Sequence, residues 1–154
     1  MSKPKQSTNV IVNRRARYDY HLGDEFVLGI VLSGAEVRAL REGRGHLKGA
    51  FATFKDGELW LNNMSISVRL SEPGGSQTVV NTGPRKLLAH KKELEKLQAA
   101  KQDGLTIVPV KVLAGGKFIK AVVAVAKGKK TIDKRETIKR REQTRDARRQ
   151  LKRA

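Results

Sequence analysis

Residues 127–154 carry 13 Lys or Arg against four Asp or Glu, and only five apolar side chains: Ile132, Ile138, Ala147, Leu151 and Ala154. Burying so little apolar surface does not offset the entropy of ordering the segment, so it is expected to be disordered on its own. Any core must come from the preceding 126 residues, enough for one domain. A helix start is nonetheless written into the tail. Asp133 with Glu136 three residues on forms a capping-box pair, and Glu136/Arg140 and Asp146/Arg149 have ion-pair spacing. A cationic segment that is helix-ready but core-less suits a polyanionic partner, and RNA is the best candidate.

The whole chain of 154 residues is formally +18, divided evenly between body and tail, so the domain itself is basic. That balance points to nucleic acid before an anionic membrane. Membrane attachment calls for an amphipathic helix with bulky anchors or a lipidation signal, and neither is visible. There is no Cys, hence no disulfide, thiolate metal site or Cys nucleophile, which suits the reducing cytoplasm. The first ten residues, MSKPKQSTNV, lack the apolar run of a signal peptide or membrane span.

Enzymatic signatures are missing too. His21, His46 and His90 show no ligand spacing, and the glycines at 43, 45 and 49 have the wrong spacing for a dinucleotide fingerprint. Gly128-Lys129-Lys130-Thr131 superficially resembles a phosphate-binding loop, but Val123 stands where the upstream glycine is required. The expectation is a protein with no catalytic site, no metal and no cofactor.

Along the chain, residues 1–9 read as a flexible leader, 10–126 as the folded domain and 127–154 as the basic tail. Phe26 to Leu32 is a short β-rich apolar run, read as a buried strand. A helix follows directly, with Ser33 and Glu36 as its capping pair, Val37 and Leu40 on one face, and Gly43 as its stop. Asp56-Gly57 between alternating segments predicts a hairpin. Residues 71–82 read as an exposed loop around a short strand at Thr78 to Val80. A helix is expected from Arg85 to Gln102, with Leu87, Leu94 and Leu97 buried and Gly104 beyond its end. The segments LTIVPVKVL and FIKAVVAVA, separated by Gly115-Gly116, read as a final hairpin whose first strand is an edge or bulged at Pro109. The fold class is therefore mainly β: a small antiparallel β-barrel of the oligonucleotide-binding type, with five or six strands, two or three short helices and a basic C-terminal tail.

Three constellations could hold RNA. Asn13-Arg14-Arg15-Ala16-Arg17-Tyr18-Asp19-Tyr20 interleaves three arginines with two aromatics, offering forked donors to phosphate and flat faces to unpaired bases. It reads equally as an edge strand kept soluble by charge. Arg85, Lys86, Lys91 and Lys92 surround an expected helix N-terminus, where backbone donors also favour phosphate. The bland alternative is a helix with a leucine core face and a lysine solvent face. Lys127, Gly128, Lys129, Lys130, Asp133, Lys134 and Arg135 open the tail, which is otherwise simply a solubilising terminus.

NRRARYDY, GIVLSGAEVRALREG, LKGAFATFKDGELWLNNMSIS, RKLLAHKKEL, TIVPVKV and AKGKKTIDKRETIKRRE occur here in the order seen in the SsrA-binding protein family. From about Asn13 to Glu142 the chain resembles that family. The resemblance implies a small β-barrel flanked by helices that binds the tRNA-like domain of transfer-messenger RNA. It further implies delivery of that RNA to stalled ribosomes for trans-translation, together with the elongation factor that delivers aminoacyl-tRNA. The tail would enter the empty message channel at the decoding centre and become helical there. Such a protein is an RNA-binding adaptor without an active site, cytoplasmic and monomeric when free. On the resemblance, Asn13, Arg14, Arg15, Arg17, Arg85, Lys86 and Leu88 match positions that bind the tRNA-like domain; Tyr18 joins them from the residue pattern above. Gly128, Lys129, Lys130, Asp133, Lys134 and Arg135 match tail positions required on the ribosome, and Lys127 adjoins them.

The chain departs from the family pattern at three places. Val27 stands where an acidic residue is usual, which removes an acceptor for base amino or sugar hydroxyl groups. Val79 to Pro84 lacks the usual spaced His, Pro and Arg ahead of Arg85, and Ile132 replaces a common His or Tyr. A competing reading from another class is a structural ribosomal-type protein whose tail is assembled into ribosomal RNA.

Overall fold

The computed structural model describes residues 9–129 and 131–153. The expected leader, apart from Asn9, lies outside the described residues, as do Lys130 and the side chains of Ile132 and Asp133. Ten strands and four helices follow in chain order: β1 (Val10–Val12), α1 (Arg14–Asp19), β2 (Tyr20–Ile30), α2 (Gly34–Arg41), β3 (Gly45–His46), β4 (Phe51–Lys55), β5 (Glu58–Asn62), β6 (Ser65–Glu72), β7 (Gly75–Asn81), β8 (Arg85–Leu88), α3 (Lys91–Gln102), β9 (Thr106–Leu113), β10 (Lys120–Gly128) and α4 (Thr131–Arg153). The chain is mainly β, as its alternating segments predict.

Seven strands form one sheet in the order β1-β9-β10-β2-β8-β5-β4, and a further pairing of Ala52 with Ile107 joins β4 back to β9. Six strands thus close into a ring around Leu28, Leu40, Leu59, Leu61, Ile107 and Val123, each no more than 1% exposed. The strands β3, β6 and β7 form a second antiparallel sheet.

Local chemistry explains the junctions. Asp56 (φ 53°) and Gly57 (φ 77°) both adopt the left-handed region, which the tight β4–β5 hairpin requires. At α2, Ser33 Oγ accepts from the Glu36 amide at 3.3 Å and donates to its carboxylate at 3.2 Å. The helix ends in a Schellman motif, with the Arg44 and Gly43 amides donating to Ala39 and Leu40 carbonyls at 2.9 and 3.0 Å. The end of α3 repeats this: the Leu105 and Gly104 amides donate to Ala100 and Lys101, both at 3.1 Å. The register between β9 and β10 slips between Val122 and Val123, opposite Lys111 and Pro109, so the proline sits at a bulge.

Four expectations need correction. The helix expected from Arg85 starts only at Lys91, because residues 85–88 are a strand inserted between β2 and β5, with Arg85 and Leu87 both turned inward. Residues 71–82 belong to a long hairpin of β6 and β7 rather than a loop with one short strand. The strand expected from Phe26 begins six residues earlier, at Tyr20, because β10 pairs along its whole length. Finally, Arg14 to Asp19 is a short helix, with Ala16 as its one buried residue.

The tail is one continuous helix of 23 residues, about 35 Å long. Beyond Thr137 its described side chains are exposed. Among the described residues, no helix is long and apolar enough to cross a membrane.

Candidate nucleic-acid interface

Asn13 anchors the first constellation. Its amide donates to the Val110 carbonyl at 2.8 Å and its Nδ2 donates to the Pro109 carbonyl at 2.8 Å, so the β9 bulge holds the start of α1. At 8% exposure Asn13 is a support for its neighbours. Ala16 packs on Val108 and Ala126, which turns Arg14, Arg15 and Arg17 to solvent.

The same helix receives the tail. The Lys129 amide donates to the Asp19 carbonyl at 2.9 Å, and Lys129 Nζ donates to Thr137 Oγ1 at 2.8 Å. The Asp19 carboxylate lies 3.4 Å from Lys134 Nζ and 3.7 Å from Arg15 Nε. The Arg15 guanidinium and the Lys134 ammonium both lie over the half-buried Tyr18 ring, at 5.4 and 5.8 Å from its centroid. Each cation–π contact is modest at such a surface. Together they make a basic surface in which Asp19 offsets part of the repulsion. Through Lys129 and Lys134 the start of the tail therefore adjoins the first constellation in one basic surface. Lys127, Gly128 and Arg135 are exposed beside it.

The second constellation divides. Arg85 is 5% exposed, and its guanidinium is committed internally. Nε pairs with the Glu36 carboxylate, Nη1 donates to Met64 and Gly83 carbonyls at 2.8 and 3.2 Å, and Nη2 donates to the Asn81 carbonyl at 3.0 Å. Arg85 thus ties α2 to the loop ahead of β8. Lys86, on the opposite face, donates to Glu58 Oε1 at 2.8 Å.

Leu88 is 51% exposed and leads to a surface that sequence reasoning missed. It pairs with Gly29, which pairs in turn with Lys120, and these residues line a cleft of about 340 Å³ with Arg41, Lys117 and Phe118. Phe118 is 70% exposed because β10 begins only at Lys120, leaving this aromatic in the turn. Arg41 Nη2 donates to the Gly116 and Lys117 carbonyls at 3.3 and 3.2 Å, bracing the turn. An apolar floor rimmed by cations can stack a base and hold its phosphate. The available signal was an aromatic flanked by lysines after two glycines. Val27, 54% exposed, lies two residues before Gly29 on the same outward face of β2, so the missing acidic side chain would have reached this side of the ring.

Comparison with known proteins agrees with these residue patterns. The family model described as SmpB protein matches residues 10–153. An SsrA-binding protein of Ligilactobacillus salivarius (strain UCC118) is 44% identical over 99% of this chain and 98% of its own. One from Synechococcus sp. (strain JA-3-3Ab) is 42% identical, covering 93% of each. A solved chain described under "tmRNA-SmpB: a journey to the center of the bacterial ribosome" is 42% identical, with a TM-score of 0.61, over 80% of this chain and 86% of that one.

Proposed function

Because the chain belongs to the SmpB protein family, we propose that it is an RNA-binding adaptor of trans-translation: the body binds the tRNA-like domain of transfer-messenger RNA and carries it to stalled ribosomes. The closed six-stranded ring is read as a small barrel of the oligonucleotide-binding type. Arg14, Arg15 and Arg17 contact phosphate, Tyr18 offers a stacking face, and Lys86 and Leu88 with the Phe118 turn form a second contact. Asn13 and Arg85 serve by holding these surfaces in place. The adaptor acts in the cytoplasm, is a monomer when free, and works with the elongation factor that delivers aminoacyl-tRNA.

The tail is proposed to sense the empty message channel. Lys127, Gly128, Lys129, Lys130, Asp133, Lys134 and Arg135 engage the decoding centre, and message occupancy competes with the tail by volume and charge. Free in solution, the segment is expected to be disordered, since Ile138 and Leu151 are 41% and 77% exposed on the helix, which therefore lacks the packed apolar face that supplies most helical stability.

The observation that carries this reading is the convergence of α1 and the tail on Tyr18 and Asp19, which joins an RNA-facing surface to a segment able to leave the body. The test is binding to the tRNA-like domain against excess ordinary tRNA through a salt series. Phosphate contacts alone lose affinity with a log–log slope of about −0.7 to −0.9 per phosphate and show no preference between the two RNAs. A preference surviving at about 0.15–0.2 M salt supports reading of the rescue RNA by shape. No preference, together with enrichment on translating rather than stalled ribosomes, would favour a structural ribosomal-type protein.

A further inference from the structure

The hairpin of β4 and β5 carries the chain's sole tryptophan, Trp60. Along β5, Leu59 and Leu61 point into the core, so Glu58, Trp60 and Asn62 point outward, each half-buried. They line a cleft of about 330 Å³ together with Thr53, Asp56 and Pro84. The volume is at the lower end of ligand-sized sites. The Trp60 ring is half-buried on the outward face of the sheet, between its cross-strand neighbours Thr53 and Lys86.

The cleft is built in advance. Pro84 is held because the buried Arg85 guanidinium bonds the Asn81 and Gly83 carbonyls at 3.0 and 3.2 Å, and the Gly83 amide donates to Asn81 Oδ1 at 3.0 Å. Asn62 Nδ2 donates to Thr53 Oγ1 at 2.8 Å, which fixes the amide and leaves its Oδ1 as an acceptor among the described residues. Glu58 is held by Lys86 at 2.8 Å through Oε1, and its second carboxylate oxygen remains an acceptor. The side chains of Lys55 and Lys86 balance those of Asp56 and Glu58, so this spot has no net charge to attract a phosphate. What it offers is an aromatic plane, a proline wall and acceptors in fixed positions, which cuts the entropy cost of binding.

We propose that this cleft binds one unpaired nucleobase of an RNA partner, favouring bases with an exocyclic amino group. The indole stacks on the base, as aromatic side chains do for any base plane. Glu58 and Asn62 flank Trp60 at opposite ends of β5, and the one on the side where the base's amino group falls accepts from it; adenine, cytosine and guanine carry that donor and uracil lacks it. The chain's net charge of +18 brings RNA to the surface, and the neutral cleft then reads a base. This site is on the β4–β5 face, apart from the α1–tail surface, and it shares Lys86, the partner of Glu58, with the second contact.

Uncharged nucleosides isolate base recognition from phosphate attraction, and the sole tryptophan makes fluorescence local. Titration of the full-length protein with adenosine or cytidine should quench Trp60 saturably, with uridine about tenfold weaker and ribose silent. Asn62→Ala or Glu58→Ala, whichever removes that acceptor, should narrow the difference between cytidine and uridine. Equal quenching by all three nucleosides, or none up to their solubility, would overturn the proposal. The absence of quenching in protein that still binds the tRNA-like domain would remove this site alone. A change in Trp60 emission on binding a protein partner, with nucleosides silent, would reassign the cleft to protein contact.

Discussion

Replacing Arg85 by Ala removes one half of a buried ion pair whose side chains are 4% and 11% exposed. It leaves the buried Glu36 carboxylate, in the first turn of α2, without its guanidinium partner and strips a donor from the carbonyl of Met64, itself fully buried. Breaking such a pair from one side costs about 3–5 kcal/mol, since the remaining charge is uncompensated. The carbonyls of Asn81 and Gly83 lie nearer solvent and water can satisfy them, so they add little. The expected loss is about 4 kcal/mol, a large part of the roughly 5–15 kcal/mol typical of a domain, and a fall in Tm of about 10 °C. Urea unfolding followed by Trp60 emission measures it, as a lower midpoint at unchanged slope. Glu36→Gln should show a smaller loss in the same direction, and the Glu36→Leu, Arg85→Met pair should recover much of the stability. A loss below about 1 kcal/mol for Arg85→Ala would refute the reasoning, because the guanidinium would then be free. In that case Arg85 would return to the residues that touch RNA directly.

Gln at Arg14, Arg15 and Arg17 together should leave the unfolding midpoint nearly unchanged, since all three are exposed, while the salt slope of RNA binding becomes shallower by about 0.7–0.9 for each phosphate left without its cation. Neutralising Lys129, Lys130, Lys134 and Arg135 should keep the body's preference for the tRNA-like domain over ordinary tRNA, with at most a shallower salt slope, yet abolish tagging in a reconstituted translation assay. Comparable loss of both activities would defeat the division of labour between body and tail. Amide exchange in the free monomer should be fast from residue 138 onward, where the helix has no packed face; strong protection across 133–149 would contradict an unbound, disordered tail.

Turn and cap chemistry was the legible part of the fold. Asp56-Gly57, Ser33 with Glu36, and the stops at Gly43 and Gly104 are decided within a few residues, and each sits where its side chains predict. RKLL misleads because Leu87, Leu94 and Leu97 are compatible with one helical stripe, while an arginine hides the strand's inward alternation. What makes an inward arginine tolerable is Glu36, 49 residues away, and no local pattern carries that information. The β6–β7 hairpin is hard to see in the chain because β7 is exposed throughout, so no burial periodicity marks it. The same limit applies to the interface. The charges of α1 and the tail are plain in the chain, but their meeting at Asp19 and the outward turn of Phe118 depend on distant partners.

The strand β10 is paired along one side to β2, from Tyr20 to Gly29, and along the other to β9, from Thr106 to Leu113. The tail helix begins three residues past its end. A pull on the tail along the strand axis therefore loads two ladders of hydrogen bonds in shear, many at once, instead of peeling them singly as at an exposed edge. The Lys129 contact to Asp19 lies ahead of both ladders and yields first. Tension on the tail would extend that small clasp while the ring behind it keeps its shape.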